Sequence, residues 1–318
     1  MSLSADSLNR LAAETGFRVE FLEKVDRLLS LLQALFRDPF LENRLALKGG
    51  TALNLFHFDL PRLSVDIDLN YIGALDRELM MIERPQVEQR IHAIAARQDL
   101  MRTRAPGSHA GSKWRFRYNS VLSGGGTLEV DLNYLYRQPL WPVVRMDSRP
   151  LGSLVARGIS VLDLHELAGG KLSALFNRTA ARDLFDAHYL LKHLSTEPAR
   201  LRLAFVLYGA MGKRDWRTID PSDIQPDYEE ASRQLFPLLV RQAGSRREDQ
   251  QKILAKLTEE VQQELRRLLP LSPTEHDFIA EIRDRGKIAP GLLSIPLALA
   301  DLLPQHPALK WRAQAGLM

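Results

Sequence analysis

The chain has 318 residues, no cysteine, 45% hydrophobic and 26% charged residues, and a net charge of +4 with a pI of about 9.3. That length allows two domains or one large one, and the missing cysteines exclude disulfides, thiolate metal sites and cysteine nucleophiles and suit a reducing cytoplasm. No apolar run approaches the roughly 18 residues of a membrane span, and the first residues show no basic-then-apolar leader, so a cytoplasmic protein without a membrane partner is expected.

In chain order, 5–14 and 18–36 read as helices separated by Gly16. Phe21, Val25, Leu28, Leu29, Leu32, Leu35 and Phe36 recur at helical spacing, and Pro39 ends the second helix. Leu45–Leu47 reads as a short strand running into Lys48-Gly49-Gly50-Thr51. The glycine pair lets the backbone turn tightly and approach a ligand. Thr51 is expected to cap a short helix over Ala52–Phe58, whose amide end suits a phosphate. Ser64–Asn70 then alternates: Val65, Ile67 and Leu69 face one way, and Ser64, Asp66, Asp68 and Asn70 the other. Two carboxylates side by side on a strand repel, and a cation between them relieves that repulsion. Either feature alone is ordinary. In this order, with a short helix between, they have what nucleotidyl transfer needs: a phosphate cradle and a metal-binding carboxylate pair.

Asp76–Gln98 is helix-like, with Pro85 expected to kink or restart it. Residues 112–134 read as a hairpin around Gly124-Gly125-Gly126. Its first arm sets Lys113, Arg115 and Arg117 on one face and Trp114, Phe116 and Tyr118 on the other. Its second arm carries Thr127, Glu129, Asp131 and Asn133 on the polar side. If this arm pairs with the Asp66–Asp68 strand, Asp131 becomes a third carboxylate. The cationic stripe reads either as solvated surface or as a nucleic-acid contact.

A boundary is placed near 150, dividing the chain into domains 1–150 and 151–318. Beyond it the pattern is almost wholly helical, over 163–178, 182–194, 197–210, 228–243, 248–269 and 273–286. Leu164, Leu167, Ala168, Lys171 and Leu175 share one helix face, so Lys171 interrupts an apolar stripe just after Gly169-Gly170. A lysine there either snorkels to water or meets an anion, and a triphosphate is such an anion. Arg178 follows two turns later. Asp183 and Asp186 share a packed face of the next helix and call for cationic partners among Lys171, Arg178 and Arg182. No P-loop, zincin helix or Gly-x-Ser-x-Gly elbow is present.

The Lys-Gly-Gly-Thr-Ala-Leu and Arg-x-Ser-x-Asp-Ile-Asp-Leu stretches, with the later Lys…Arg…Arg-Asp-x-x-Asp, resemble the AbiEii/AbiGii-like nucleotidyltransferase toxins of the polymerase-beta-type superfamily. Thr51 stands where that superfamily more often has serine, and the gap from Thr51 to Asp66 is longer than its norm. The resemblance implies an α/β fold: a small mixed sheet with flanking helices, then a helical domain completing the cleft. It implies an Mg²⁺-dependent enzyme moving NMP from an NTP to an acceptor hydroxyl, with the 3′ end of tRNA as acceptor. The enzyme would act as the toxin of a toxin–antitoxin pair, with a cognate antitoxin as partner. Asp66, Asp68 and Asp131 would hold metal. Lys48, Gly49, Gly50, Thr51, Arg62, Ser64, Lys171 and Arg178 would hold the nucleotide. Asp66, Asp68 and Lys171, with Asp183 or Asp186, would be catalytic. Protein nucleotidylation and a non-catalytic nucleotide-binding module stay open as alternatives.

Overall fold

The alternating patterns become a mixed sheet, and the helical patterns become helices in both units of the chain. The computed structural model describes residues 3–104, 111–194, 197–241 and 246–316. The chain divides into two compact units, Met1–Asp163 with Pro237–Gln242, and Leu164–Phe236 with Ala243–Met318.

The first unit begins with α1 (Ala5–Thr15), capped by the Ser4 side chain and closed by Gly16 at φ 75°. Helix α2 (Val19–Arg37) buries Leu22, Val25, Leu28, Leu29, Leu32, Leu35 and Phe36. Then come β1 (Leu45–Lys48), α3 (Gly49–Ala52, running into a π turn over Leu53–His57), β2 (Asp66–Tyr71) and α4 (Arg77–Ala96). Strands β3 (Met101–Arg104), β4 (Gly111–Asn119), β5 (Gly125–Asn133), β6 (Val144–Met146) and β7 (Ile159–Val161) follow. Pro85 lies inside α4, which runs on as one helix, so the expected restart does not occur.

The described strands form one seven-stranded sheet in the order β3-β4-β5-β2-β1-β7-β6. Strand β2 pairs antiparallel with β1 and parallel with β5. The face bearing Ile67, Leu69, Val130, Leu132, Trp114 and Phe116 is buried, and α2 and α4 pack there. The period of two therefore turns the acids of β2 and β5 to the other face.

The boundary expected near 150 falls instead after Asp163, because β6 and β7 extend the sheet. Strands of three residues carry too little alternation to be read from sequence. The helix expected over 228–243 is also shorter. Helix α8 stops at Gln234, just before Pro237, which has no N–H to continue it. The chain then returns to the first unit: Leu63 N–H donates to the Leu238 carbonyl at 2.9 Å, and Arg241 N–H to that of Gly16 at 2.9 Å.

The second unit is helical: α5 (Leu164–Arg178), α6 (Ala181–His193), α7 (Pro198–Met211), α8 (Tyr228–Gln234), α9 (Arg247–Leu265), α10 (Pro273–Arg285), α11 (Leu297–Leu302) and α12 (Pro307–Ala315). Gly169 decides how closely α5 and α7 pack. A Cβ there would lie 2.7 Å from the Ala204 carbonyl oxygen.

Candidate active site

Register assembles the acidic face of the first unit. In the parallel β2–β5 pair, Asp68 lies opposite Asp131 and Asp66 opposite Glu129. Neighbouring strands sit about 4.8 Å apart, so Asp68 and Asp131 are adjacent carboxylates. Lys48 lies opposite Asp68 on β1, and Lys113 opposite Asp131 on β4. One row across four strands thus reads Lys48, Asp68, Asp131, Lys113: cation, two acids, cation.

The cations are unevenly shared. Glu129 takes Lys113 at 2.7 Å and Arg115 at 2.5 Å. Burial raises the proton affinity of Glu129, but these two hydrogen-bonded cations outweigh it and hold the carboxyl below its usual range. The Lys113 ammonium is raised by the same bond. Lys24 of α2 stands 3.8 Å from Asp66. Among the described residues, no cationic nitrogen comes within ion-pair distance of Asp68 or Asp131. Asp131 is raised by burial first and by the Asp68 charge, with Lys48 and Lys113 acting against this at longer range. The site therefore favours added positive charge.

Hard carboxylate oxygens from adjacent strands suit a divalent cation such as Mg²⁺. Among the described residues no three acids or histidines already converge on a common point. Like-charged carboxylates splay when no cation draws them together, and Asp66 turns toward Lys24.

The glycine turn lies against the same row. Gly49 has φ +72°, and a Cβ on it would stand 2.2 Å from Asp68 Oδ2. Glycine is required both by the left-handed backbone and by this contact. Helix α3 starts at Gly49 rather than at Ala52, with Lys48 at the N-cap and no side-chain cap bond. Its first-turn N–H groups thus have no capping side chain beside Asp68.

Thr51 is therefore not the cap. It is fully buried, its hydroxyl donates to the Asp66 carbonyl at 2.5 Å, and the Ser64 hydroxyl lies 2.9 Å away. These bonds tie α3 to the start of β2 and position Asp66. Arg62 is also buried, with Nη1 donating to the Leu63 carbonyl at 2.9 Å. Of the residues expected to hold nucleotide here, Lys48 and Gly49 lie beside Asp68, and Gly50 follows them in the first turn of α3. Thr51, Arg62 and Ser64 point into the protein, because the loop from α3 to β2 must satisfy its own buried polar groups.

In the second unit, Lys171 is 8% exposed and its Nζ lies 2.9 Å from both Asp183 Oδ1 and Asp186 Oδ2. Arg178 Nε donates to Asp183 Oδ2 at 2.5 Å, while most of its own side chain stays exposed. Lys171 thus does not snorkel; it meets anions that are the protein's own. Burial would raise Asp183, but Lys171 and Arg178 prevail and lower it.

A family model described as nucleotidyl transferase AbiEii toxin, type IV TA system, matches residues 30–283. The chain belongs to the AbiEii family. It is a nucleotidyltransferase toxin of a type IV toxin–antitoxin system, which implies an NTP substrate and an antitoxin partner. The fold is similar to that of MenT4, a nucleotidyltransferase toxin from Mycobacterium tuberculosis H37Rv. The TM-score is 0.58 at 19% identity, over 87% of this chain and 94% of that one. No curated protein matches the chain. No described helix is long and apolar enough to cross a membrane.

Sequence reading passed over Lys24 on this acidic face and left the partners of Glu129 unassigned. Lys24 lies on α2, far from the motif, with no local signal to mark it. Glu129 was visible as an acid on the polar arm. That it captures both Lys113 and Arg115 follows only from strand register.

Proposed function

We propose that this AbiEii protein transfers NMP from an NTP to a hydroxyl at the 3′ end of an RNA, with tRNA as the foremost acceptor. An ester bond forms between the acceptor oxygen and the α-phosphorus, and the α–β phosphoanhydride breaks. Pyrophosphate leaves, and the hydroxyl proton passes to solvent. Asp66, Asp68 and Asp131 would hold Mg²⁺. When bound, the metal supplies Lewis-acid stabilisation of charge on the phosphoryl and leaving groups.

The remaining roles belong to the chain. Lys48 and the first-turn N–H groups after Gly49 would take phosphate oxygens. Thr51 and Ser64 keep Asp66 in place through the α3–β2 bonds. In the second unit, Lys171 and Arg178 are assigned to phosphate, with Asp183 and Asp186 as positioning residues. The Lys171 ammonium stands 2.9 Å from both aspartates, which fix its position. No protein base is assigned to the acceptor hydroxyl.

The observation that carries this reading is the Asp68–Asp131 pair, adjacent across parallel strands and without a direct cation. Incubation with each labelled NTP, Mg²⁺ and total RNA tests it. Label on tRNA-sized RNA is expected. Label on protein would make the enzyme a protein nucleotidylator, and label on neither would leave a binding module.

A further inference from the structure

Helices α2 and α4 cover the apolar side of the sheet, behind the three aspartates. Their outer surfaces bound a groove of about 1040 Å³. Through Arg27 and Asp99 it continues into a hollow of about 580 Å³ at the β3–β4 edge. Arg27, Arg37, Arg97 and Arg102 line these two spaces. Among the described residues, no carboxylate lies within ion-pair distance of any of the four. Arg27 stands 5.3 Å from the centre of the Tyr118 ring, and its Nε is buried with no hydrogen-bond partner. Of the acids that line the groove, Asp38 is taken by Arg90 at 2.8 Å and Asp26 is 1% exposed. Asp99 alone remains open to face the arginines.

We infer that this arginine-lined groove holds the phosphodiester backbone of the RNA acceptor, away from its reacting end; the inference rests on the RNA reading above. Guanidinium forks match phosphate oxygens in pairs. Arg27 and Arg37 are ten residues apart on one helix, about 15 Å, so they meet phosphates several nucleotides apart. A protein partner fits less well. Interface cores are built on large apolar and aromatic anchors, and none of the exposed large hydrophobics lines the 1040 Å³ groove.

The sheet edge supplies a route to the site. On edge strand β3, Arg102 pairs with Phe116 and so faces the groove side, while Met101 pairs with Arg117 on the aspartate side. A strand leaving the groove around β3 therefore meets Arg117, then Arg115 and Lys113, and Lys113 lies opposite Asp131.

The test is a charge-reversed variant, Arg37→Glu with Arg97→Glu, both exposed positions. Its melting temperature confirms folding, and Arg37→Lys with Arg97→Lys serves as the conservative control. Binding of total tRNA is followed by anisotropy over a salt series, and transfer by label incorporation. The reversed variant should bind tRNA on the order of tenfold more weakly, with a salt slope shallower by about one to two. Its KM for RNA should rise while its KM for NTP and its rate at saturating RNA hold, and the lysine control should restore binding. If wild type labels RNA but the reversed variant keeps its affinity and slope, the groove assignment is wrong and the RNA reading stands. If wild type neither binds nor labels RNA, both fall together. Equal affinity of wild type for poly-L-glutamate, lost in the same variant, would mean an acidic polypeptide and overturn the assignment.

Discussion

Two places in this AbiEii protein gather aspartates, and they resolve the same problem in opposite ways. On the sheet, Asp68 and Asp131 sit side by side with no direct cation, because Lys113 and Arg115 are held by Glu129. Between α5 and α6, Asp183 and Asp186 are almost fully buried, and Lys171 bonds both while Arg178 adds a second cation to Asp183. The first arrangement is electrostatically incomplete and half open. The second is complete and closed, since two buried acids cannot stay ionised unpaired. Charged residues of the same types are therefore left without a direct counter-charge in one place and answered by the protein's own cations in the other.

The largest effect should come from the incomplete site. Asp68→Asn is expected to lower transfer roughly a thousandfold, equivalent to about 4 kcal/mol of lost transition-state stabilisation. Its melting temperature should hold or rise, because a like-charge contact is relieved. Near-normal turnover would erase the distinction between the two sites.

Next comes the closed cluster. Lys171→Met should destabilise the protein by about 3–5 kcal/mol in urea titration, the cost of leaving partners of a buried ion pair uncompensated. A lysine that only interrupted an apolar stripe would leave the methionine variant at least as stable as wild type. The two carboxylates within 2.9 Å reverse that expectation. Lys171→Met combined with Asp183→Asn and Asp186→Asn should recover most of the loss. A triple variant no more stable than the single one would show that the cluster does more than balance charge.

A smaller effect follows pH. The folded-state pKa of Asp183 is depressed below its ordinary 3.8. Its stabilisation is therefore fully present above that value and is lost as pH falls through the folded pKa. The stability gap between wild type and Asp183→Asn, read by urea titration, should be constant from neutral pH to mildly acidic pH and narrow below about 3.8. A gap that widens in acid would contradict the ion-pair account. Smallest of all, Arg115→Ala should cost no more than about 1 kcal/mol, because its pair with Glu129 is half exposed and screened by water.

The sequence made the long, strongly periodic pieces legible: α2, α4, the β4–β5 hairpin, and the α5–α6 helices. Asp66, Asp68 and Asp131 were legible too, because strict alternation puts each on the polar side of its strand, and the pairing of β2 with β5 then makes them neighbours. Less visible was anything set by long-range partners. Thr51 looked like a helix cap, but the helix starts two residues earlier and its hydroxyl holds Asp66 instead. Lys24 has no local signal at all. Strands β6 and β7 are three residues each, and β7 joins the sheet beside β1, more than a hundred residues earlier in the chain. Local patterns fix which face a side chain takes; they do not fix which charge waits on that face.

The central claim is that Asp68 and Asp131, from separate strands, form one cation-dependent nucleotide site. Titration calorimetry of NTP binding tests it most directly, with wild type, Asp68→Asn, Asp131→Asn and the double variant, each in Mg²⁺ and in EDTA. Wild type should bind more tightly in Mg²⁺. Either single variant should lose that advantage, and the double variant should lose little more, since residues sharing one ligand are not additive. Affinity independent of Mg²⁺, or two losses that simply add, would contradict the shared site.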